Sequence, residues 1–250
     1  MTMTRFYIRR VITDRQTVFF TMVLPLFMYL IFGAIQTYGD ESVAHGNVKG
    51  IVMVSMALFG GITATVSGAS QTIVDQKSGW GRQLAITPLS NAKLLGITIA
   101  TMVVRAVLPV AIVFIAGSLT HAELEPQGWI LCFLMCVVAS VFPFGLYGLM
   151  WALISPNDST VGIASASVTL LAFIGNVFMP LKGVFYEISR WTPLWGVNAL
   201  AHWPVSGSAQ TLADGFRDES LLTVVVNIVM WILVLLSACI ALMRRDRERL

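Results

Sequence analysis

Six long apolar stretches, separated by shorter polar segments, dominate the pattern of the chain. They cover residues 18–35, 51–73, 94–119, 129–154, 161–181 and 221–243, and each is 18 to 26 residues long. An α-helix needs about 20 apolar residues to cross a hydrocarbon core, within which every backbone group must be hydrogen-bonded internally. The stretches lack the alternation that marks a barrel strand. The pattern therefore predicts an all-α membrane protein with six transmembrane helices, folded as a single transmembrane domain over residues 1–250.

The composition agrees with this pattern and excludes several other classes of protein. Of the 250 residues, 56% are hydrophobic and 12% are charged, whereas soluble domains carry about 25% charged residues. A soluble or disordered chain is therefore excluded. The three cysteines all fall inside apolar stretches, which indicates packing residues and no metal site. The net charge of +3 gives no reason to expect a nucleic-acid partner.

The distribution of cations predicts the orientation of the chain. Four arginines precede the first stretch, four follow the last, and three further cations lie within residues 75–93, whereas the opposite side carries four. Cytoplasmic loops are enriched in Lys and Arg. Both termini are therefore predicted to be cytoplasmic.

Three segments outside the stretches have residue patterns that predict more structure than a plain loop. Residues 1–17 predict an amphipathic interfacial helix, with Arg9 and Arg10 on its polar face; a basic flank that only sets topology is the alternative. Residues 75–93 form the longest cytoplasmic connection, and Trp80 and Leu84 could enter a groove on a soluble partner, although a simple connector is the alternative. Residues 182–220 are too apolar for a solvated loop and too broken by proline to span, which predicts re-entrant or interfacial helices on the external side.

The membrane interior offers no catalytic machinery. All 13 acidic residues and all three histidines fall outside the six stretches, so no proton relay is predicted there. The sequence also contains no G-x-x-x-x-G-K-[ST] motif, and therefore no P-loop for ATP. We expect no catalytic residue, cofactor or metal on this chain.

Two polar residues inside the stretches are candidates for a translocation path. Arg105 lies twelve residues into the third stretch, where it could contact an anionic group in the path or extend to the cytoplasmic interface. Asn176 lies in the fifth stretch. Its side chain is predicted to form an interhelical hydrogen bond or, alternatively, to contact the transported compound.

Small residues at intervals of four predict close helix packing. They are Gly60, Ala64 and Gly68 in the second stretch and Gly162 and Ala166 in the fifth. Such faces let two backbones approach each other closely. Packing within one chain and packing between two subunits both fit this pattern.

Several motifs together resemble the membrane subunit of ABC type 2 exporters. The first stretch contains Pro25 and Phe32-Gly33, similar to the Pro…Phe-Gly ending of that family. An aromatic Pro-Leu motif, Trp191-Thr192-Pro193-Leu194, precedes the last stretch. The most specific part is similar to the family's cytoplasmic signature and reads Asp75-Gln76-Lys77-Ser78-Gly79, followed by Leu84 and by Thr87-Pro88-Leu89-Ser90. The chain departs from the family pattern at Asp75, where Glu is usual, and at Trp80, where Thr commonly follows the glycine.

The resemblance implies the ABC type 2 exporter fold and a half-transporter in the plasma (inner) membrane of a prokaryote. Two such chains, identical or paired with a related permease, would enclose a path among membrane lipids, and two cytoplasmic ABC ATPase subunits would supply ATP and Mg²⁺ sites. The segment 75–93 then contains a cytoplasmic coupling helix. The residues implied in coupling to the ATPase are Asp75, Lys77, Gly79, Trp80, Leu84, Thr87, Pro88, Arg9 and Arg10.

The implied function is ATP-driven export of a lipophilic compound, such as an antibiotic or another drug, or a lipid. The apolar stretches, rich in methionine and aromatic residues, suit such a cargo, although surfaces that face lipid need the same composition. Export of a polysaccharide or glycolipid is the alternative within the family. A passive channel or a membrane scaffold is the alternative outside it.

Overall fold

The computed structural model describes residues 19–75 and 91–247, and this part of the chain is mostly helical. The first helical segment consists of α1 (Leu24–Tyr29) between two π-helical turns, Phe19–Val23 and Leu30–Ala34. A 3₁₀ turn at Thr37–Asp40 and the hairpin β1 (Ser42–Val43) and β2 (Gly46–Asn47) lead into the second helix. The remaining helices are α2 (Val48–Asp75), α3 (Asn91–Leu119), α4 (Pro126–Ile154), α5 (Asp158–Ile174), α6 (Gly183–Ser189), α7 (Pro193–Ser206) and α8 (Leu221–Arg247). A second antiparallel hairpin, β3 (Ala209–Leu212) and β4 (Gly215–Asp218), precedes α8.

Four helices in the described residues are long and apolar enough to cross a membrane. They are Val48–Asp75, Gly96–Leu119, Pro126–Ile154 and Leu221–Arg245. The prediction of a helical multi-pass membrane protein is confirmed at this level. The other two predicted stretches form shorter apolar helices, Thr21–Ala34 and Asp158–Ile174, so six spans remain a prediction.

The predicted span 161–181 is not one helix. Helix α5 begins three residues earlier, where Asn157 caps it by accepting a hydrogen bond from the backbone N–H of Thr160. It ends at Ile174, because Gly175 follows and Asn176 takes a positive φ of 60°. Pro180 lies just beyond in the sequence. The hydrophobic run continues past this corner, which is why hydropathy alone overestimates the helix.

Helix α2 lies at the centre of the bundle. It packs mainly against α4 and α3, and it also contacts α5, α7 and the first helical segment. Residues 53–70 of α2 are all buried, so the helix shows no continuous exposed face. Its small residues make this possible, because Gly61 and its neighbours allow other helices to approach on several sides.

The segments predicted to be external meet at one end of the bundle. The backbone N–H of His45 donates to the carbonyl of Val205, and that of Asn47 donates to the carbonyl of Glu123. The side-chain oxygen of Asn47 accepts hydrogen bonds from the N–H groups of Gly50 and Glu123. These hydrogen bonds therefore join the loops that precede α2 and α4 and the last turn of α7.

The segment 182–220 contains the helices α6 and α7 and the hairpin β3–β4. The sequence does not predict the hairpin, and a re-entrant or interfacial position of the helices stays a prediction. Thr192 caps α7 by accepting a hydrogen bond from the N–H of Trp195. Helix α7 packs against α4, α8 and α2, and most of its residues are buried. It is thus part of the core of the bundle.

Candidate transport site and coupling surface

The implied ATPase-coupling residues lie almost entirely outside the described part of the chain. Asp75 is the exception and is the last residue of α2, where the side-chain N–H of Gln71 donates to its Oδ1 at 2.9 Å. Lying outside the described residues are Arg9, Arg10, Lys77, Gly79, Trp80, Leu84, Thr87 and Pro88, together with the interfacial helix predicted for residues 1–17.

Arg105 of α3 lies against Gly68 of α2, so the structure brings together two residues that the sequence singled out for different reasons. A Cβ added at Gly68 would be 2.8 Å from Nη1 and 2.9 Å from Nε of Arg105. Arg105 is half-buried in this seam. Gly68 is therefore the position on α2 that leaves room for the guanidinium.

The small residues of α2 and α5 have different surroundings. Gly60 and Ala64 are buried, and a Cβ at Gly60 would be 3.0 Å from Cγ of Pro25 and 3.1 Å from Cβ of Pro109. In contrast, Gly162 and Ala166 are exposed on α5, and a Cβ at Gly162 would meet nothing within 4 Å. The face of α5 that packs in this chain carries Ala164, Val168 and Ala172. The pair on α5 thus lies on a surface that the described residues leave open.

Asn176 lies at a corner beyond α5 and links three segments. Its Nδ2 donates to the carbonyl of Thr211 at 3.1 Å, and its Oδ1 accepts from the N–H of Leu181 at 2.7 Å. Its backbone carbonyl accepts from Nδ2 of Asn198 at 2.9 Å. The side chain therefore fixes the turn after α5 against β3 and α7.

A pocket of about 470 Å³, called the external pocket below, lies at the end of the bundle that the sequence predicts to be external. It is enclosed by the first helical segment, the start of α2, the corner after α5, α7 and β3. This volume is in the range of small-molecule sites. None of the described residues that line it is charged. Its apolar lining includes several large side chains, Met28, Phe32, Met56, Phe173, Phe178 and Met179.

The polar side of this pocket is formed by α2, α7 and β3. It includes Ser55, Asn198, His202 and Gln210, each of which is buried. The Nδ1 of His202 lies 2.7 Å from the carbonyl oxygen of Asn198, and its Nε2 lies 3.0 Å from the carbonyl of Ile51 and 3.1 Å from Oγ of Ser55. Burial lowers the pKa of His202, and the two carbonyl contacts offset part of that effect.

From the sequence, His202 is predicted only to lie in an external segment, with no role in a site. The signal was present, because Asn198 and His202 are four residues apart in an otherwise apolar stretch and so share one helix face. What the sequence could not show is that this face lies against α2.

An ionic cluster ties α6 to the start of α8. Glu219 is buried, and its carboxylate accepts from Nη2 of Arg190 at 3.1 Å and lies 3.4 Å from Nε of Arg217. Arg217 also pairs with Glu187, and hydrogen bonds from Arg217 and Arg190 lower the pKa of that carboxyl. Burial raises the pKa of Tyr186, which lies beneath this cluster, to about 12. The cluster therefore links the end of α6 to β4 and to the residues that precede α8.

In the described residues, no group of three or more His, Cys, Asp or Glu side chains is placed to hold a metal ion. The pocket therefore offers hydrogen-bonding and apolar contacts to a ligand.

Comparison with known proteins places this arrangement in a family. A search of curated proteins finds no match to the chain. The model of the family described as ABC-2 type transporter matches residues 1–202, which is more than half of the 250 residues. The resemblance inferred from the sequence motifs is confirmed, and the chain belongs to the ABC-2 type transporter membrane family.

Proposed function

We propose that this chain is the permease subunit of an ABC exporter that moves a lipophilic compound outward with ATP hydrolysed by separate subunits. Membership of the family makes it a membrane component of a transporter that works with ABC ATPases.

The observation that carries the coupling route is the continuity of α2. This helix begins at Val48 beside the external pocket and ends at Asp75, the first residue of the coupling motif. Its 28 residues extend for about 42 Å at 1.5 Å per residue. Because α2 is packed on all sides, a displacement at its cytoplasmic end would be passed to Ile51, Ser55 and Met56 in the pocket.

The source of energy follows from what the sequence lacks. The chain contains no P-loop motif, and its acidic residues lie outside the predicted spans. A permease of this kind must therefore receive work from a partner. In the proposed complex, two ATPase subunits bind beneath two permeases, and the segment 75–93 and the helix predicted for residues 1–17 form the docking surface.

The lining of the external pocket favours a lipophilic cargo over a polysaccharide. Its described side chains are mostly aliphatic, aromatic or methionine, with a few uncharged polar groups on one side. A glycan presents many hydroxyl groups, and burying them without partners is costly. Such a pocket could satisfy only a few of them.

The second permease is proposed to pack on the open face of α5. Gly162 and Ala166 would let a helix of the partner approach closely. The partner is an identical copy or a related permease. In this arrangement the chain lies in the inner membrane of a prokaryote with both termini cytoplasmic and its outer surface in contact with lipid.

Co-purification with candidate ATPases, followed by ATPase and transport assays in proteoliposomes, tests the proposal. Replacing Gly79, Leu84 or Pro88 should leave the chain inserted and folded, while ATP hydrolysis loses its link to transport. Gly96→Ala is a matched control, because its added methyl group would meet nothing within 4 Å. Normal coupling in all three variants would contradict the docking assignment.

A further inference from the structure

We propose that the external pocket binds an uncharged amphipathic molecule that carries a hydroxyl group, with the hydroxyl held between Asn198 and Gln210. This inference rests on the proposed function, because it assigns a binding site and a chemical class to the compound that the exporter handles.

Two buried polar atoms of residues that line the pocket have no hydrogen-bond partner among the residues that the structure describes. They are Oδ1 of Asn198 and Nε2 of Gln210, and each residue is only 4% exposed. The orientation of the Asn198 amide is fixed, because its Nδ2 donates to the carbonyl of Asn176 at 2.9 Å. The two residues thus provide one free acceptor, Oδ1 of Asn198, and one free donor, Nε2 of Gln210. Buried polar groups in proteins normally have a hydrogen-bond partner, so a ligand could supply one here.

A hydroxyl group matches this pair. It can donate to Oδ1 of Asn198 and accept from Nε2 of Gln210. A ketone or ether could only accept, and so would leave Oδ1 of Asn198 without a donor. Each residue lines the same pocket, Asn198 from α7 and Gln210 from β3.

The surroundings favour a ligand without charge. None of the described lining residues is charged, so an anion or a cation would be desolvated with no counter-ion. His202 is fully within the wall, and burial lowers its pKa, so the ring is neutral at pH 7. The histidine therefore supplies no positive charge for an acidic headgroup.

The remaining lining accommodates an apolar body. Phe173, Met179 and Phe216 are more than 45% exposed and also line the pocket, so one side of it has an apolar rim. An apolar tail could pass over this rim while the hydroxyl stays at the polar wall. A transported compound and a membrane alcohol such as diacylglycerol share this chemistry, and the test below separates the two sources.

Photolabelling of the purified chain in lipid nanodiscs tests the binding site directly. The probe is a diazirine-bearing hexadecanol, and the controls are the corresponding carboxylate and trimethylammonium compounds with the same tail. We expect the alcohol to label pocket residues such as Met28, Met56 and Met179, and the two charged probes to label them several-fold less. Equal labelling by all three probes would overturn the inference.

The variant Gln210→Met removes the unpartnered donor while keeping the length of the side chain. We expect labelling of the pocket by the alcohol to fall about three- to tenfold, because one hydrogen bond to the probe is lost. The thermal stability of the unliganded chain should stay equal or rise. Gln127→Met is the matched control, because Gln127 is exposed and lies outside the pocket. Unchanged labelling in Gln210→Met would contradict the assignment.

Repeating the labelling in the complex with its ATPase separates the sources of the ligand. Loss of pocket labelling during ATP turnover would identify a transported compound, and persistent labelling would identify a resident lipid; both support the binding site. Since the first labelling uses the permease alone, failure of the pocket and failure of ATP coupling are observed in different experiments.

Discussion

Gly68 on α2 lies directly against the side chain of Arg105 on α3, close enough that a methyl group at position 68 would be 2.8 Å from the guanidinium Nη1. The contact joins the central helix to the one arginine that the sequence places within an apolar stretch. Gly68 is seven residues from Asp75, at the end of α2 that is predicted to be cytoplasmic, which corresponds to about 10 Å along the helix. Arg105 therefore lies between the coupling motif and the external pocket.

We expect Gly68→Ala to displace the guanidinium of Arg105 and to lower transport. A double-mutant cycle with Arg105→Ala provides the measurement, because two residues that act through one contact give non-additive effects. The double variant should transport no worse than Arg105→Ala alone. Gly96→Ala, also within α3, should transport normally, since its methyl group would meet nothing within 4 Å. Additive losses, or normal transport in both Arg105→Ala and Arg105→Lys, would contradict a role for Arg105 in transport.

Close packing between α2 and α4 depends on Gly148. A Cβ there would be 2.5 Å from the carbonyl oxygen of Val66, 3.0 Å from its Cα and 2.9 Å from Cβ of Ala69. Because two of these three atoms belong to the backbone of α2, the helices themselves must separate. We expect Gly148→Ala to destabilise the protein by about 1–3 kcal/mol, measured as the melting temperature in detergent.

Gly162→Ala provides the matched comparison for Gly148→Ala. The added methyl group would meet nothing within 4 Å in this chain, and alanine favours a helix over glycine by about 1 kcal/mol. The melting temperature of the separated chain should therefore stay equal or rise. A fall as large as that of Gly148→Ala would mean that α5 packs differently from the structure.

Much of the helical architecture could be predicted from hydropathy, because residues that face lipid and residues that face other helices are both apolar. The bounds of α2, α3, α4 and α8 agree with the predicted stretches to within four residues. The end of α5 could not be predicted in this way, because the corner at Asn176 depends on a positive φ and on hydrogen bonds to Thr211 and Leu181. Thr211 is 35 residues away in the sequence, and Leu181 lies beyond the turn.

The external pocket also depends on contacts that the sequence does not display. The sequence predicts only that Asn198, His202 and Gln210 belong to an external segment. The packing of α7 against α2, with β3 in contact with α7, places them around a cavity. The coupling motif, in contrast, stays a prediction from the sequence, where it resembles a family signature of defined spacing. Its placement lies largely outside the described residues.

Glu219 is expected to hold the outer end of the bundle together. Its buried carboxylate pairs with Arg190 and Arg217, and Tyr186 lies within 3.4 Å. Glu219→Gln leaves both guanidinium groups without this charge and should lower the stability by about 1–3 kcal/mol, since the arginines are partly exposed and screened by water.

Thermal unfolding at pH 7 measures the effect of Glu219→Gln. Asp214→Asn is the control, because Asp214 is exposed at the tip of the same hairpin. Equal melting temperatures for Glu219→Gln and the unmodified chain would show that the ionic cluster does not stabilise this end of the bundle.

The buried histidine predicts a dependence of stability on pH. Burial lowers the pKa of His202 in the folded chain below its ordinary value of 6.5. As the pH falls below about 6.5, the unfolded chain gains a proton that the folded chain resists, so folding becomes less favourable. Above that pH, both states carry a neutral ring and the effect vanishes.

We therefore expect the melting temperature of the unmodified chain to fall more steeply between pH 7.5 and about pH 5 than that of His202→Gln. Glutamine keeps a hydrogen-bond donor at this position but does not titrate. His121→Gln is the control, because His121 is exposed. Parallel pH profiles for His202→Gln and the unmodified chain would contradict the assigned burial.

The most direct test of the account reconstitutes this permease in liposomes with and without its ATPase partner and measures the uptake of an uncharged lipophilic alcohol against its gradient. The account predicts accumulation only when the ATPase and hydrolysable ATP are both present. Accumulation by the permease alone, without the ATPase, would contradict it.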